Sequence, residues 1–171
     1  MKKSLKILFA LFVAFLPAVS MAQNYLAVDQ PGKVYDDAAS KYVTLNEKNE
    51  DVSILPGMVF KSIEKKPGVV MIEYSPGLRG FIDEKITSPG MVAPSPGTYQ
   101  IANQSGKSFK VEVDDNGKWK GTSENATYPG ILADNNIVVF VDPSGNVAYS
   151  LVDLGKGGIV MNYDNNITKF F

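Results

Sequence analysis

Four Pro-Gly pairs, Pro31-Gly32, Pro56-Gly57, Pro67-Gly68 and Pro76-Gly77, punctuate one short stretch of the chain. Proline fixes the first central dihedral of a tight turn, and glycine supplies the positive φ that a type II turn needs at the second. A chain folded back this often builds short antiparallel strands. The segments beside the pairs agree. Tyr25-Leu-Ala-Val28, Met58-Val-Phe-Lys-Ser-Ile63 and Val69-Val-Met-Ile-Glu-Tyr74 are rich in β-branched and aromatic residues, the composition that suits a pleated, half-buried surface. Residues 36–51 are polar and show no repeated apolar pattern, so they read as a long loop with one helical turn near 37–41.

The second half is sharper. Ser108-Phe-Lys-Val-Glu-Val-Asp114 alternates strictly, which puts Phe109, Val111 and Val113 on one face and Lys110 and Glu112 on the other. Asp115-Asn-Gly117 then leads into Lys118-Trp-Lys-Gly-Thr-Ser123, and Asn-Gly between strands is a strong hairpin signal, here read as a type I′ turn. Further runs follow at Ile137–Val141, Val147–Val152, Ile159–Tyr163 and Ile167–Phe171, separated by Pro143-Ser-Gly-Asn146, Gly155-Lys-Gly-Gly158 and Asp164-Asn-Asn166. Consecutive strands with short turns predict an antiparallel β-meander, an open curled sheet or small barrel of about six strands. Ser88-Pro-Gly-Met-Val-Ala-Pro-Ser-Pro-Gly97 separates the halves. Its prolines and glycines cannot continue a ladder, which predicts a linker over residues 89–97.

The N-terminus carries an address. Lys2, Lys3 and Lys6 precede ten uninterrupted apolar residues, Ile7 to Leu16, followed by Pro17 and the small-residue site Ser20-Met-Ala22. This is the pattern of a secretory signal peptide over residues 1–22, cleaved before Gln23. The apolar run falls well short of the roughly 20 residues that span a bilayer, so no membrane span is expected. The exported compartment is periplasmic or extracellular. The signal holds three of the 17 basic residues and none of the 18 acidic ones, which leaves a net charge of −4 from Gln23 onward. That balance offers nucleic acid nothing to bind. The chain has no His and no Cys, which excludes zinc-finger sites, Ser/His/Asp and Cys/His catalysis, iron–sulfur clusters and disulfides.

Residues from about Val34 to Ile86 resemble the bacterial Src-homology-three-like (SH3b-type) domain, a small β-barrel of exported cell-envelope proteins. Val34-Tyr35 before a polar loop is similar to the family's opening strand, and Ile54-Leu-Pro-Gly-Met-Val59 to its strand, glycine turn and strand. Gly68-Val-Val-Met-Ile72 stands where a hairpin enters the central strand. Gly77-Leu-Arg-Gly80-Phe81-Ile82 resembles the terminal glycine-x-x-glycine-tryptophan-hydrophobic signature, with Phe81 in place of tryptophan. The resemblance implies an all-β chain: an SH3-like β-barrel over 23–88, the linker, then the β-meander over 98–171. It also implies a ligand groove lined by aromatic residues.

Several motifs dissolve on inspection. Ser62-Ile-Glu-Lys65 has the S-x-x-K spacing of penicillin-recognising enzymes, but it lies on a β run and lacks the S-D-N and K-T-G partners. Glu112 to Gly117 imitates the start of a calcium loop, yet Ser123 occupies the place of the required bidentate glutamate. Gly155-Lys-Gly-Gly158 sits between strands instead of opening a helix, so it is a turn and not a phosphate loop. No spacing marks out a pair of catalytic carboxylates, and no cofactor motif or metal-ligand set is present.

The aromatics remain. Most serve as cross-strand pairs and caps. Tyr35 and Tyr42, in or beside the polar loop, together with Tyr74 and Phe81, are the candidate binding residues. The function expected is that of a non-catalytic exported bacterial adaptor recognising a cell-wall peptide or glycan, or an exported protein. The alternatives are an inhibitor or immunity-type protein presenting residues 36–51 to an exported hydrolase, and a carboxylate-only hydrolase. Signal cleavage needs a small side chain at the last position of the signal, so Ala22→Trp should accumulate uncleaved precursor. N-terminal sequencing of the exported protein checks this, and a product beginning at Gln23 from that variant would refute it.

Overall fold

The computed structural model describes residues 24–163, apart from Lys41, Glu47, Asn103 and Asn125. The signal segment and the strand expected at 167–171 lie outside the described residues. What is described is all β, with no α-helix and two single-turn 3-10 segments, Glu84–Ile86 and Gly155–Gly157. Among the described residues no helix is long and apolar enough to cross a membrane.

The first part contains β1 (Tyr25–Val28), β2 (Gly32–Lys33), β3 (Ser53–Ile54), β4 (Val59–Lys66), β5 (Val69–Ser75), β6 (Leu78–Asp83) and β7 (Thr87–Ser88). Five of these form an antiparallel sheet in the order β6-β5-β4-β1-β7, and β2 and β3 pair separately. Three of the four Pro-Gly pairs are tight turns whose glycines, Gly57, Gly68 and Gly77, have φ of 91°, 80° and 76°. The fourth is not: Gly32 lies inside β2, and a Cβ there would strike Ile86 Cδ1. Among the described residues of 36–51 no helix forms, and the helical turn expected near 37–41 is a single tight turn closed by the Ser40 N–H on Asp37 O at 3.1 Å. Asp37 also receives the backbone N–H of Ala39 at 2.7 Å, and Ser40 takes a φ of 55°. The ends of that loop are tied down, because Tyr35 and Phe81 exchange backbone hydrogen bonds at 2.8 Å each and the Val34 N–H donates to Val52 O at 3.0 Å.

The second part is β8 (Gly97–Gln100), β9 (Ser108–Val113), β10 (Trp119–Ser123), β11 (Ala126–Leu132), β12 (Val138–Val141), β13 (Val147–Asp153) and β14 (Ile159–Tyr163). They run in sequence order as one antiparallel sheet. The sheet curls until β8 nearly meets β14: Ile101 bridges Met161, and the N–H of Ala102 donates to Met161 O at 2.7 Å. The meander is thus a nearly closed seven-stranded barrel. Phe109 and Val111 point inward and are buried, whereas Lys110 faces solvent and pairs with Glu112 at 2.7 Å. The hairpin at Asn116-Gly117 is a three-residue loop and not the expected type I′ turn. Gly117 alone has positive φ there (75°), its N–H reaches Asp114 O at 2.9 Å, and Asp114 Oδ1 accepts the N–H groups of Asn116 and Lys118. A type I turn followed by a left-handed glycine is the next favoured hairpin geometry, and the aspartate selects it. Asp142 to Asn146 repeats the construction.

Among the described residues three apolar clusters hold the fold. One fills the first part around Phe60, Ile54, Ile72 and Ile82, and one fills the barrel around Phe109, Phe140, Leu151 and Met161. The third lies between the sheets: Tyr25, Ala27 and Val59 of β1 and β4 pack against Ile137, Val139 and Val152. Polar contacts frame it. Asn162 Nδ2 donates to Gly57 O, and Asn135 Nδ2 to Tyr25 O. Residues 89–96 join no ladder, but the N–H groups of Gly90 and Met91 bind Asn135 O and Asp153 O at 2.9 Å each.

A buried cluster shared between two sheets couples their stabilities. Urea unfolding followed by Trp119 fluorescence, which reports on the barrel, should coincide with unfolding followed by backbone circular dichroism. Ile137→Ala should cost about 2–5 kcal/mol, as large-to-small core changes do. Ser150 is buried on β13 with a hydroxyl that has no hydrogen-bond partner in the structure. Ser150→Ala should therefore be neutral or stabilising by up to about 1 kcal/mol, because it removes a desolvated polar group. Separate transitions for the two probes would refute the coupling.

Candidate functional site

Strand register builds one wall of a site. Tyr25 of β1 stands opposite Lys61 of β4, Lys61 opposite Glu73 of β5, and Glu73 opposite Arg79 of β6. Paired residues project on the same side of a sheet, so these four form one row of alternating charge beside an aromatic ring. The row faces the same way as Ala27 and Val59, which the barrel covers. The sheet face thus runs from a buried apolar seam out to a charged margin.

The barrel supplies the other wall. The hairpin joining β12 and β13 brings Asp142, Gly145 and Asn146, and the mouth of the barrel brings Tyr128 and Tyr163. Together with Tyr25, Lys61, Glu73 and Tyr74 they line a cleft of about 390 Å³. That volume lies within the range of small-ligand sites, roughly 300–1,000 Å³. Behind the mouth the tyrosines form a packed group. Tyr149 lies 5.0 Å from Tyr128 and 4.9 Å from Tyr163 between ring centroids, and 4.1 Å from Phe109. Asp142 is held ionised: its carboxyl lies below the ordinary range, chiefly because the Asn146 N–H binds it, with further help from the N–H groups of Ser144 and Gly145. Glu73 is fixed by its own turn, since Oε1 accepts the Gly77 N–H at 2.9 Å. Among the described residues Lys61 forms no ion pair.

The four residues singled out from sequence divide. Tyr35 and Phe81 are bridge partners, and Phe81 also stands opposite Met71, so these three form a second row on the same sheet face as Lys61 and Glu73. Phe81 is buried, with Lys66 Nζ 5.1 Å from its ring centroid, a cation–π contact. Tyr74 borders the cleft, yet its ring belongs to the first core and is only 8 % exposed. Tyr42 stands apart at 68 % exposure. Sequence reasoning passed over Lys61, Glu73, Tyr128, Asp142 and Tyr163. One signal was available: Ile137-Val-Val-Phe-Val141 does not alternate, and an unbroken apolar strand has both faces covered. That places a second layer over β12 and a junction beside its hairpin.

Among the described residues no group of three or more carboxylates could hold a metal ion. The chain matches no protein-family model, no curated protein and no solved structure.

Burial raises the phenols of Tyr25, Tyr74, Tyr99 and Tyr149 above the usual value of 10.0, with the Asp36 charge adding to the effect at Tyr74. At Tyr149 a Ser123 hydrogen bond offsets part of the rise. A phenol whose folded pKa is raised contributes stability that is intact below its unfolded value of about 10 and is lost as pH climbs through the folded value. Ultraviolet titration should therefore show Tyr25, Tyr74, Tyr99 and Tyr149 ionising above the ordinary phenol value, and stability should fall above about pH 10. Ordinary ionisation of these four in the folded protein would contradict the burial described.

Proposed function

We propose that the protein is a non-catalytic exported bacterial binding or adaptor protein, and that the cleft between the sheet and the barrel receives a cell-envelope peptide, glycan or protein. The Src-homology-three-like reading of the first part belongs to the same proposal. One observation carries it: tyrosine, amide and charged side chains from both halves converge on a single cleft. Tyrosine offers an apolar ring with a polar tip, and a few fixed polar groups orient what lies against it. Exposed Tyr42 and Leu45 on the loop 36–51 favour a second reading, an inhibitor that presents this loop to an exported hydrolase.

Sedimentation with isolated bacterial envelope separates them. The full chain should pellet with envelope. Tyr128→Ala should weaken that association by roughly five- to thirtyfold, the effect of removing an aromatic anchor worth about 1–2 kcal/mol. Tyr42→Ala should leave it unchanged. If Tyr42→Ala releases the protein and Tyr128→Ala does not, the loop is the binding surface and the cleft reading fails.

A further inference from the structure

We infer that the cleft recognises the zwitterionic head of an α-amino acid, free or at the end of a short peptide, with Glu73 and Asp142 holding its ammonium and Lys61 its carboxylate. The inference rests on reading the cleft as the binding site and names the chemistry that site selects.

Lys61 and Glu73 are directly opposed on adjacent antiparallel strands, where Cβ atoms lie about 4.5–5.5 Å apart. A cation and an anion that leave one sheet face side by side border the same part of the cleft, the arrangement that suits a ligand carrying both charges on one carbon. Each partner is disposed to take a ligand group. Glu73 is anchored through Oε1 to the Gly77 N–H, which leaves its other oxygen to accept an ammonium. Lys61 forms no ion pair among the described residues and lines the cleft half-buried. The second carboxylate comes from the facing wall. Asp142 Oδ1 is occupied by the N–H groups of Ser144 and Asn146 at 2.9 Å each, and Oδ2 has only the long 3.4 Å contact from Asn146 Nδ2. An ammonium entering from solvent thus meets carboxylates from both walls, and the carboxylate beside it meets the lysine. The rings of Tyr128 and Tyr163, packed on Tyr149, line the cleft where the ligand's side chain would lie and suit apolar or aromatic groups.

The charges count against the other ligand classes. An anionic polymer would meet two carboxylates for one lysine, on a chain whose net charge is already negative. A purely cationic ligand would leave Lys61 opposed to it. A neutral sugar would use the rings and leave the paired opposite charges with nothing to do.

The test is calorimetric titration of the full chain with phenylalanine, N-acetylphenylalanine and phenylalaninamide. Phenylalanine should bind, and blocking either charge should weaken binding by roughly tenfold or more, the loss expected when a charge-assisted hydrogen bond goes. Lys61→Met should erase the preference for phenylalanine over its amide while keeping the preference over the N-acetyl form. Glu73→Gln, which retains an oxygen for the Gly77 N–H, should narrow the preference over the N-acetyl form, with Asp142 still holding the ammonium, and keep the preference over the amide. Thermal melts confirm that both variants fold, since both positions lie on a sheet surface. Equal binding of the three probes, or no binding of any, overturns the inference, as does binding of neutral N,N′-diacetylchitobiose in their place. If the probes fail while envelope sedimentation remains sensitive to Tyr128→Ala, the cleft is a binding site for another chemistry. If sedimentation is insensitive as well, the cleft reading itself falls.

Discussion

The pairing of β1 with β4 is the contact on which the rest of the molecule depends. Val28 and Phe60 on one side fill the first core, while Tyr25, Ala27 and Val59 on the other meet the barrel. A ladder buried on both faces leaves no solvent-facing side on which its register can slip cheaply, because a one-residue shift would exchange the two sets of side chains. The same register sets the charged row beyond the seam, since Tyr25 and Lys61 are partners in it. Core and cleft are therefore consequences of a single alignment.

Much of the fold could be read from the chain because its strands obey simple periodicities. Ser108 to Val113 alternates with Phe109 and Val111 inward, whereas Val113, expected on the same face, is exposed where the strand runs out into its hairpin. The turns were legible for the same reason, although Asp114 changed the type of one by offering its carboxylate to two backbone N–H groups. β11 was missed because Pro129-Gly130 imitates a turn. Here the pair lies within a strand, and Gly130 is needed for room: a Cβ there would lie 2.6 Å from Trp119 Cβ and 2.8 Å from Phe140 Cε1. β8 was missed because only four residues form it, beside a run of prolines.

The site was harder to read than the fold. Tyr35 and Phe81 share a sheet face with the charged row, but an aromatic's prominence in sequence does not say which face it takes. Tyr74 shows this, with its ring turned into the core. Lys61 and Glu73 look like ordinary solvent-facing strand positions, and they gain meaning only when Asp142 and Tyr128 approach from far along the chain. In the turns after β9 and β12, one oxygen of Asp114 and one of Asp142 is taken by backbone N–H groups, which explains the place of each aspartate in its turn and the lowered pKa of Asp142.

The position of β1 also sets the order in which the chain can fold. Its four residues are the first described strand to leave the ribosome, yet one face waits for β4 and the other for Ile137 and Val139, more than a hundred residues later. Contacts this distant in sequence close slowly, because loop-closure entropy must be overcome before any burial rewards it. Local hairpins such as β9–β10 can form and dissolve in the meantime without committing the whole. A growing chain of this design leaves one face of its leading strand uncovered until Ile137 and Val139 have been made.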